Sequence, residues 1–520
     1  MPSINDLPTE LDARIARVLF ADEDMSSMSA LSQVSNNYRV DVEPLLYQSI
    51  RMYYYKPASW TRLLLTLLEH PKLALHIHRV HLVTDRVQSE DVDNEQEAYG
   101  QVPLYLYRGR ISTAIDTVFG KMEQQALHSL NFSEYSARSR RSYQSTTGHS
   151  LIHLDHDDDI TLSAKDWWMS QLMWKTYQPF DATLALILCM ATNLTDVWSE
   201  EPTGGSKIIR TLMRARWRSN TDHPFKRLED LRFTHPQVAS GPLPILPSTY
   251  MLIVDSLADR NTIDESVLAL STPHPLPPAP KLEILRFINL RNVSPNAFPT
   301  LLFSPWVANL KQFTVSNCGL LDNDTDVFDI VHALANHAPQ LRKFAFSQQG
   351  PYGEFGLLEA NHFRDLTNLT QLVVDFDLLV AEGDDDLEAF KDLYAIFPAS
   401  LEDLSLACVG TETLHSVIAA FQSKFAGAED PGKAEADALG RLARSVGLKA
   451  VTICLYSSWA RACKLTLHDV AILRDAADVL EGRGLVFGVC CSDGVTQCAL
   501  IEPGFTSPFL LEYALEDEAM

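Results

Sequence analysis

Positive charge is what this sequence has too little of. Its 520 residues hold 43 Lys and Arg against 67 Asp and Glu, a net charge of −24. Broad binding to nucleic acid or to a membrane surface needs positive charge against phosphate, so neither is expected as a partner. Cysteine is sparse as well. The eight present, among them Cys189, Cys318 and the Cys490-Cys491 pair, sit mostly in apolar runs. They read as small buried hydrophobes in a reducing compartment, not as a disulfide framework. No Cys-x-x-Cys occurs, which removes the zinc sites built on that spacing. No run reaches the ~18 apolar residues of a membrane span, and the first residues lack the basic-then-apolar order of a signal peptide. The expected location is intracellular, in cytoplasm and/or nucleus.

Motifs that carry chemistry are equally scarce. There is no Gly-x-Ser-x-Gly elbow, and Gly204-Gly205-Ser206-Lys207 lacks the glycine spacing of a phosphate loop. His149, His153 and His156 lie among Asp155, Asp157, Asp158 and Asp159, but in a stretch without the periodicity that would fix a ligand geometry. That stretch reads as a polar loop. No catalytic residue, metal ion or cofactor is expected, and the chain is not expected to be an enzyme. Lys207 to Arg232 is the one basic feature, eight basic residues against three acidic, and reads as a solvated face more readily than as an anion site.

What the sequence does have begins near its start. In Leu7-Pro8-Thr9-Glu10-Leu11 the proline suits a first helical turn, where its missing N–H has no partner to lose. Leu11, Ile15, Val18 and Leu19 then follow at helical spacing. Asp22-Glu23-Asp24 interrupts, and Met28, Leu31, Val34 and Tyr38 make a second stripe. Pro44 is expected to end or kink a third helix, ahead of Leu45-Leu46-Tyr47. Three helices in fewer than fifty residues bury little surface, so the unit should lean on the rest of the chain or on a partner.

Leu-Pro-x-Glu-Leu, a following Ile, a polar gap, then Leu-x-x-Val-Ser-x-x-Tyr and Leu-Leu-Tyr resembles an F-box, in the form common among fungal F-box proteins. The likeness covers about Ile4 to Tyr47, and Tyr38 stands where a tryptophan or phenylalanine is usual. The resemblance implies binding to a Skp-type adaptor and, through it, a cullin ubiquitin ligase. The matching adaptor-contacting positions are Leu7, Pro8, Leu11, Ile15, Leu19, Leu31, Val34 and Tyr38.

A second pattern fills the remainder. Residues 51–55 and Ile77 to Leu82 read as short strands around an apolar helix from Trp60 to Glu69. The strand motif, apolar at its first, fourth and sixth positions, recurs at Leu127, Leu228, Leu282, Leu310, Leu341, Leu369, Leu401 and Leu448, with a degraded copy at Leu194. From Leu282 to Leu401 the starts lie 28, 31, 28 and 32 residues apart. Helical stripes fall between, such as Val327, Ile330, Val331 and Leu334. Units of this kind close a core only by stacking. The array resembles the degenerate leucine-rich repeats of F-box proteins.

The expected fold is therefore α/β: an N-terminal three-helix F-box (1–50), then an irregular leucine-rich-repeat-like solenoid of short parallel strands with helical returns. Its first part (51–270) carries insertions near 84–100 and 133–163. More regular repeats span 281–460, beyond the extended proline-rich Ser271 to Pro280, and 461–520 forms a capping segment with an acidic tail. The expected function is the substrate-recognition subunit of an SCF-type (Skp, cullin, F-box) ubiquitin ligase. The protein substrate would meet the polar residues between the apolar strand positions: Gln312, Thr314, Lys343, Gln371, Asp375, Asp403 and Ser405. The competing expectation is a leucine-rich-repeat interaction scaffold without ligase association.

Overall fold

The computed structural model describes residues 9–21, 25–34, 36–53, 57–83, 104–119, 169, 172, 179–200, 225–234, 246, 248–255, 281–290, 293, 297–318, 327–348, 362–375, 397–408, 448–456 and 486–492. It divides into two compact units. The first holds Met1–Gln237 and Pro244–Tyr250, the second Met251–Ser271 and Pro280–Met520.

The first unit opens with three helices, α1 (Thr9–Ala21), α2 (Met25–Val34) and α3 (Asn36–Gln48). All three pack on one another. Their core is Ala16, Met28, Leu31, Tyr38 and Val42, with Leu19, Phe20, Leu45 and Leu46 against it. Pro44 does not end α3, which runs on to Gln48 with the proline inside it. The chain passes directly into strand β1 (Ser49–Tyr53). Helix α4 (Pro57–Glu69) returns it to β2 (Arg79–Val83), the crossover that a parallel pair requires. Buried Trp60 fixes that return by donating its indole N–H to the Tyr53 carbonyl at 2.8 Å. Helices α5 (Arg108–Phe119) and α6 (Pro179–Met190) pack with α4. Strands β3 (Asp196–Glu200) and β4 (Asp230–Thr234) complete a parallel order β1-β2-β3-β4.

Among the described residues the second unit runs the same scheme through eight strands: β5 (Met251–Asp255), β6 (Ile284–Ile288), β7 (Gln312–Cys318), β8 (Lys343–Gln348), β9 (Gln371–Asp375), β10 (Asp403–Cys408), β11 (Ala450–Tyr456) and β12 (Val486–Ser492). Each pairs in parallel with the next. Helices α7 (Ala297–Leu302) and α8 (Val327–His337) pack on each other between them. Ile330, Val331 and Leu334 of the expected α8 stripe are buried.

The repeat has a backbone signature wider than the sequence motif. Among the described residues, the N–H of a motif's first residue recurrently donates to the carbonyl three residues earlier. It does so at Ile77, Leu194, Leu228, Thr249, Leu310, Leu341, Leu369 and Leu401. The residues at the accepting end, among them Ala74, Phe225, Leu246 and Val307, are buried. A tight turn with a small or apolar residue at its corner thus leads into every one of these strands. The next residue builds a ladder: Lys311 and Gln312 N–H both donate to the Glu283 carbonyl, Arg342 and Lys343 to that of Lys311, Thr370 and Gln371 to that of Arg342. Backbone groups at the strand entrances are satisfied this way. The side chains of the same row pair too, Lys311 with Glu283 at 2.7 Å and Lys449 with Glu402 at 2.8 Å.

Behind the sheet of the second unit, phenylalanines touch in series. Phe287 meets Phe313 with centroids 6.3 Å apart, Phe313 meets Phe344 at 6.2 Å, Phe344 meets Phe363 at 6.1 Å and Phe363 meets Phe397 at 6.4 Å. All are buried. They come from strands and from the turns between them, so each repeat contributes to its neighbour's core as well as its own.

Strand β5 was not marked by the motif. Its fourth and sixth positions are Leu252 and Val254, but its first is Thr249, a buried residue whose hydroxyl oxygen accepts from the Leu246 N–H at 3.0 Å. The Leu127 motif, the proline-rich segment, the two insertions and the acidic tail lie outside the described residues.

Candidate functional site

The helical unit presents apolar side chains that its own core does not use. On α1, Ala16, Leu19 and Phe20 turn to the bundle. Leu11, Ile15 and Val18 lie on another face and are 43%, 37% and 52% exposed. Their spacing, i, i+4 and i+7, makes one continuous stripe. Val34 at the end of α2 is 52% exposed. It borders a cleft of about 700 Å³ between α2 and α3, lined also by Ser32, Arg39, Glu43 and Tyr47. Arg39 and Glu43 form an ion pair at 3.3 Å along α3, and burial followed by the Glu43 charge raises the Tyr47 phenol above its usual range.

The adaptor-contacting set drawn from the sequence therefore divides. Leu11, Ile15 and Val34 are exposed, Leu19 is partly covered, and Leu31 and Tyr38 are core residues that hold the helices together. Leu7 and Pro8 lie outside the described residues. Val18, absent from that set, belongs to the exposed stripe. Its spacing from Leu11 is the signal that would have included it.

The second surface is the polar face of each sheet. In the second unit, parallel register sets Ile284, Gln312, Lys343, Gln371 and Asp403 side by side in one row. Arg286, Thr314, Ala345, Val373 and Ser405 make the next row. Six of the seven proposed substrate contacts fall in these two rows, all of them partly exposed. Asp375 lies in β9, and its side chain is outside the described set. Hydrogen bonds link neighbours both between the two rows and along one of them. Arg286 donates to the Gln312 side-chain carbonyl at 3.3 Å, the Gln312 amide to the Thr314 hydroxyl at 3.4 Å, and the Gln371 amide to Asp403 at 3.0 Å.

The polar face of the first unit holds a cluster that sequence reasoning missed. Register brings Arg51, His81, Trp198 and Arg232 into one row. The His81 ring stacks on Trp198, and the Arg232 guanidinium lies 4.3 Å from the Trp198 ring centroid. Arg51 sits over Tyr53 at 5.5 Å. In the adjoining row Arg79, Asp196 and Asp230 are neighbours. Arg79 reaches Asp196 at 3.8 Å. Asp230 is pushed up to about 6, by burial first, then by the charge and hydrogen bond of Asp196 and the charge of Glu229. The signal was faint because these residues occupy polar positions of the least regular repeats.

Among the described residues no group of three or more His, Cys, Asp or Glu side chains could hold a metal ion, and no helix is long and apolar enough to cross a membrane. No family model matches the chain, and comparison with curated proteins finds no relative.

Proposed function

We propose that this chain is the substrate-recognition subunit of an SCF-type ubiquitin ligase. In this reading the N-terminal helices bind a Skp-type adaptor, the repeat array holds a protein substrate, and the adaptor brings a cullin with it. The observation that carries it is the stripe of Leu11, Ile15 and Val18: three apolar residues left exposed by a helical unit whose own core is already filled. Helices that served only to cap the repeat array would turn such a stripe inward. An apolar helix face of this kind is what a helix-in-groove partner takes up. The chain's part in ubiquitin transfer would be tethering, which raises the effective concentration of an acceptor lysine near the conjugating enzyme.

The test is co-purification of the full chain with a Skp-type adaptor, wild type against an Ile15→Glu/Val18→Glu variant. A complex formed by the wild type and lost in an equally folded variant supports the ligase reading. Failure of the folded wild type to bind the adaptor overturns it and leaves a leucine-rich-repeat scaffold without ligase association.

A further inference from the structure

The last two described strands bring two cysteines to neighbouring positions. Parallel register pairs Cys454 of β11 directly with Cys490 of β12, although they lie 36 residues apart in the chain. Alternation along a strand assigns their face. In β11 Val451 is buried and Thr452 partly exposed, so Cys454, two residues beyond Thr452, belongs to the polar face. In β12 Val486 is an exposed position, and Cys490 follows it at an even spacing on the same face. One row of that face therefore runs Asp375, Ala407, Cys454, Cys490, and it includes a proposed substrate contact.

The same register excludes the other pairings on these strands. Cys490 and Cys491 are consecutive, so they fall on opposite faces of β12. Cys491 pairs with Leu455, whose other neighbour is Cys408 of β10. A whole strand thus separates Cys408 from Cys491, about 10 Å at the usual spacing, where a disulfide spans no more than about 7 Å between Cα atoms. Cys454 and Cys490 stand one strand spacing apart, about 4.8 Å, inside that reach. Parallel neighbours hold their Cβ atoms near the same separation, somewhat beyond the about 3.5–4.5 Å that a disulfide prefers. Closing the bond therefore needs a small approach of β12 to β11. Gly488, two residues before Cys490, is the kind of strand residue that permits close approach of a neighbouring backbone. A bond closed under such strain exchanges readily, as regulatory disulfides do and structural ones do not.

We propose that Cys454 and Cys490 form a reversible dithiol–disulfide pair whose oxidant is a small-molecule disulfide of the glutathione type. One thiolate attacks a sulfur of that molecule, breaks its S–S bond and releases one small thiolate, leaving a mixed disulfide on the protein. The second cysteine thiolate then attacks the protein sulfur of the mixed disulfide, forms the Cys454–Cys490 bond and expels the other small thiolate. The protein loses two electrons and two protons, and the small disulfide gains both as two thiols. The product fastens β12 to β11 in the row that carries Asp375. The pair stands on strand register and does not depend on the ligase reading.

The test uses the folded full-length chain, fully reduced and then equilibrated with oxidised glutathione. Remaining thiols are blocked by alkylation, and the unreduced digest is mapped by mass spectrometry. A peptide linking Cys454 to the Cys490-Cys491 segment is expected, and it should disappear when reduced glutathione is added. The link should persist in Cys491→Ser and in Cys408→Ser and be lost in Cys490→Ser. In Cys454→Ser, Cys490 should stop at the mixed disulfide with glutathione. Thermal melting of the reduced variants checks folding, and oxidised wild type should melt higher than reduced wild type because a loop of the unfolded chain is closed. The proposal is overturned if no Cys454 link forms in folded wild type. It is equally overturned if the link survives in Cys490→Ser, or if reduced glutathione fails to reverse it.

Discussion

His81 and Trp198 lie face to face, with ring centroids 3.8 Å apart and planes 9° from parallel, although 117 residues separate them in the chain. Register makes the pair: His81 of β2 is the direct partner of Trp198 of β3, and Arg232 of β4 is the next. The indole is therefore covered on one face by an imidazole and approached by a guanidinium. A stacked aromatic pair is worth about 0.5–1.5 kcal/mol beyond its burial, and a cation over tryptophan about 0.5–1 kcal/mol at a partly exposed site. Trp198→Ala should lower stability by about 2–4 kcal/mol in urea denaturation. A double-mutant cycle with Arg232→Ala should return a coupling of about 0.5–1 kcal/mol. A coupling of zero would mean that the guanidinium only lies near the ring.

Asp196 and Asp230 make a second neighbour pair, and it couples stability to pH. Asp230 rises from its ordinary 3.8 to about 6. A carboxyl whose folded value is raised contributes fully below its unfolded value and loses that contribution as pH climbs through the folded one. The ionised Asp230 thus weighs against the fold above pH 6, and its proton helps below pH 4. Asp230→Asn removes the dependence. Its melting temperature should match that of wild type near pH 4 and exceed it by a widening margin from pH 5 to pH 7. Melts across that range decide the matter, and a constant offset at every pH would contradict the coupling.

The two apolar faces of the N-terminal helices should respond oppositely to mutation. Ile15→Glu changes an exposed position, and exposed substitutions ordinarily move stability by no more than about 0.5 kcal/mol. Tyr38→Ala empties a fully buried ring site and should cost about 3–5 kcal/mol. Only Ile15→Glu should abolish adaptor capture at temperatures where the helices are intact. If Ile15→Glu melts as early as Tyr38→Ala, the stripe belongs to the fold and carries no docking function.

How far the fold was legible in the sequence follows from where each repeat puts its leucines. The strands entered through Leu228, Leu282, Leu310, Leu341, Leu369 and Leu401 announce themselves, because three buried positions in six residues leave little freedom of pattern. Pro44 does not end the third helix, one of the two outcomes its sequence position allows. A proline four residues before the end of α3 leaves the helix running to Gln48, where packing of Leu45 and Leu46 against the bundle offsets the lost backbone bond. The polar faces are the least legible part. Their residues are set by register between strands far apart in sequence, and nothing local marks Arg51, His81, Trp198 and Arg232 as neighbours. The exposed stripe of α1 was legible as a helix face but not as an exposed one, since Leu19 and Val18 differ by one residue and face opposite environments.

Thr249 offers the sharpest check on what defines a repeat. It replaces the leucine that leads into other strands, yet the turn before it is the same: its own N–H donates to the Leu246 carbonyl at 3.0 Å, as Leu310 does to Val307 at 2.9 Å. What differs is a second bond, in which the Thr249 hydroxyl accepts from the Leu246 N–H. The side chain closes the turn from the inside, and both residues are buried. Restoring the apolar consensus should therefore hurt. Thr249→Val keeps the shape but leaves a buried N–H without its acceptor, at a cost of about 1–3 kcal/mol. Thr249→Leu adds volume to a packed site and should cost at least as much. Urea denaturation of both variants tests the claim. A Thr249→Leu protein more stable than wild type would show that leucine packing alone makes the repeat and that the hydroxyl bond is incidental.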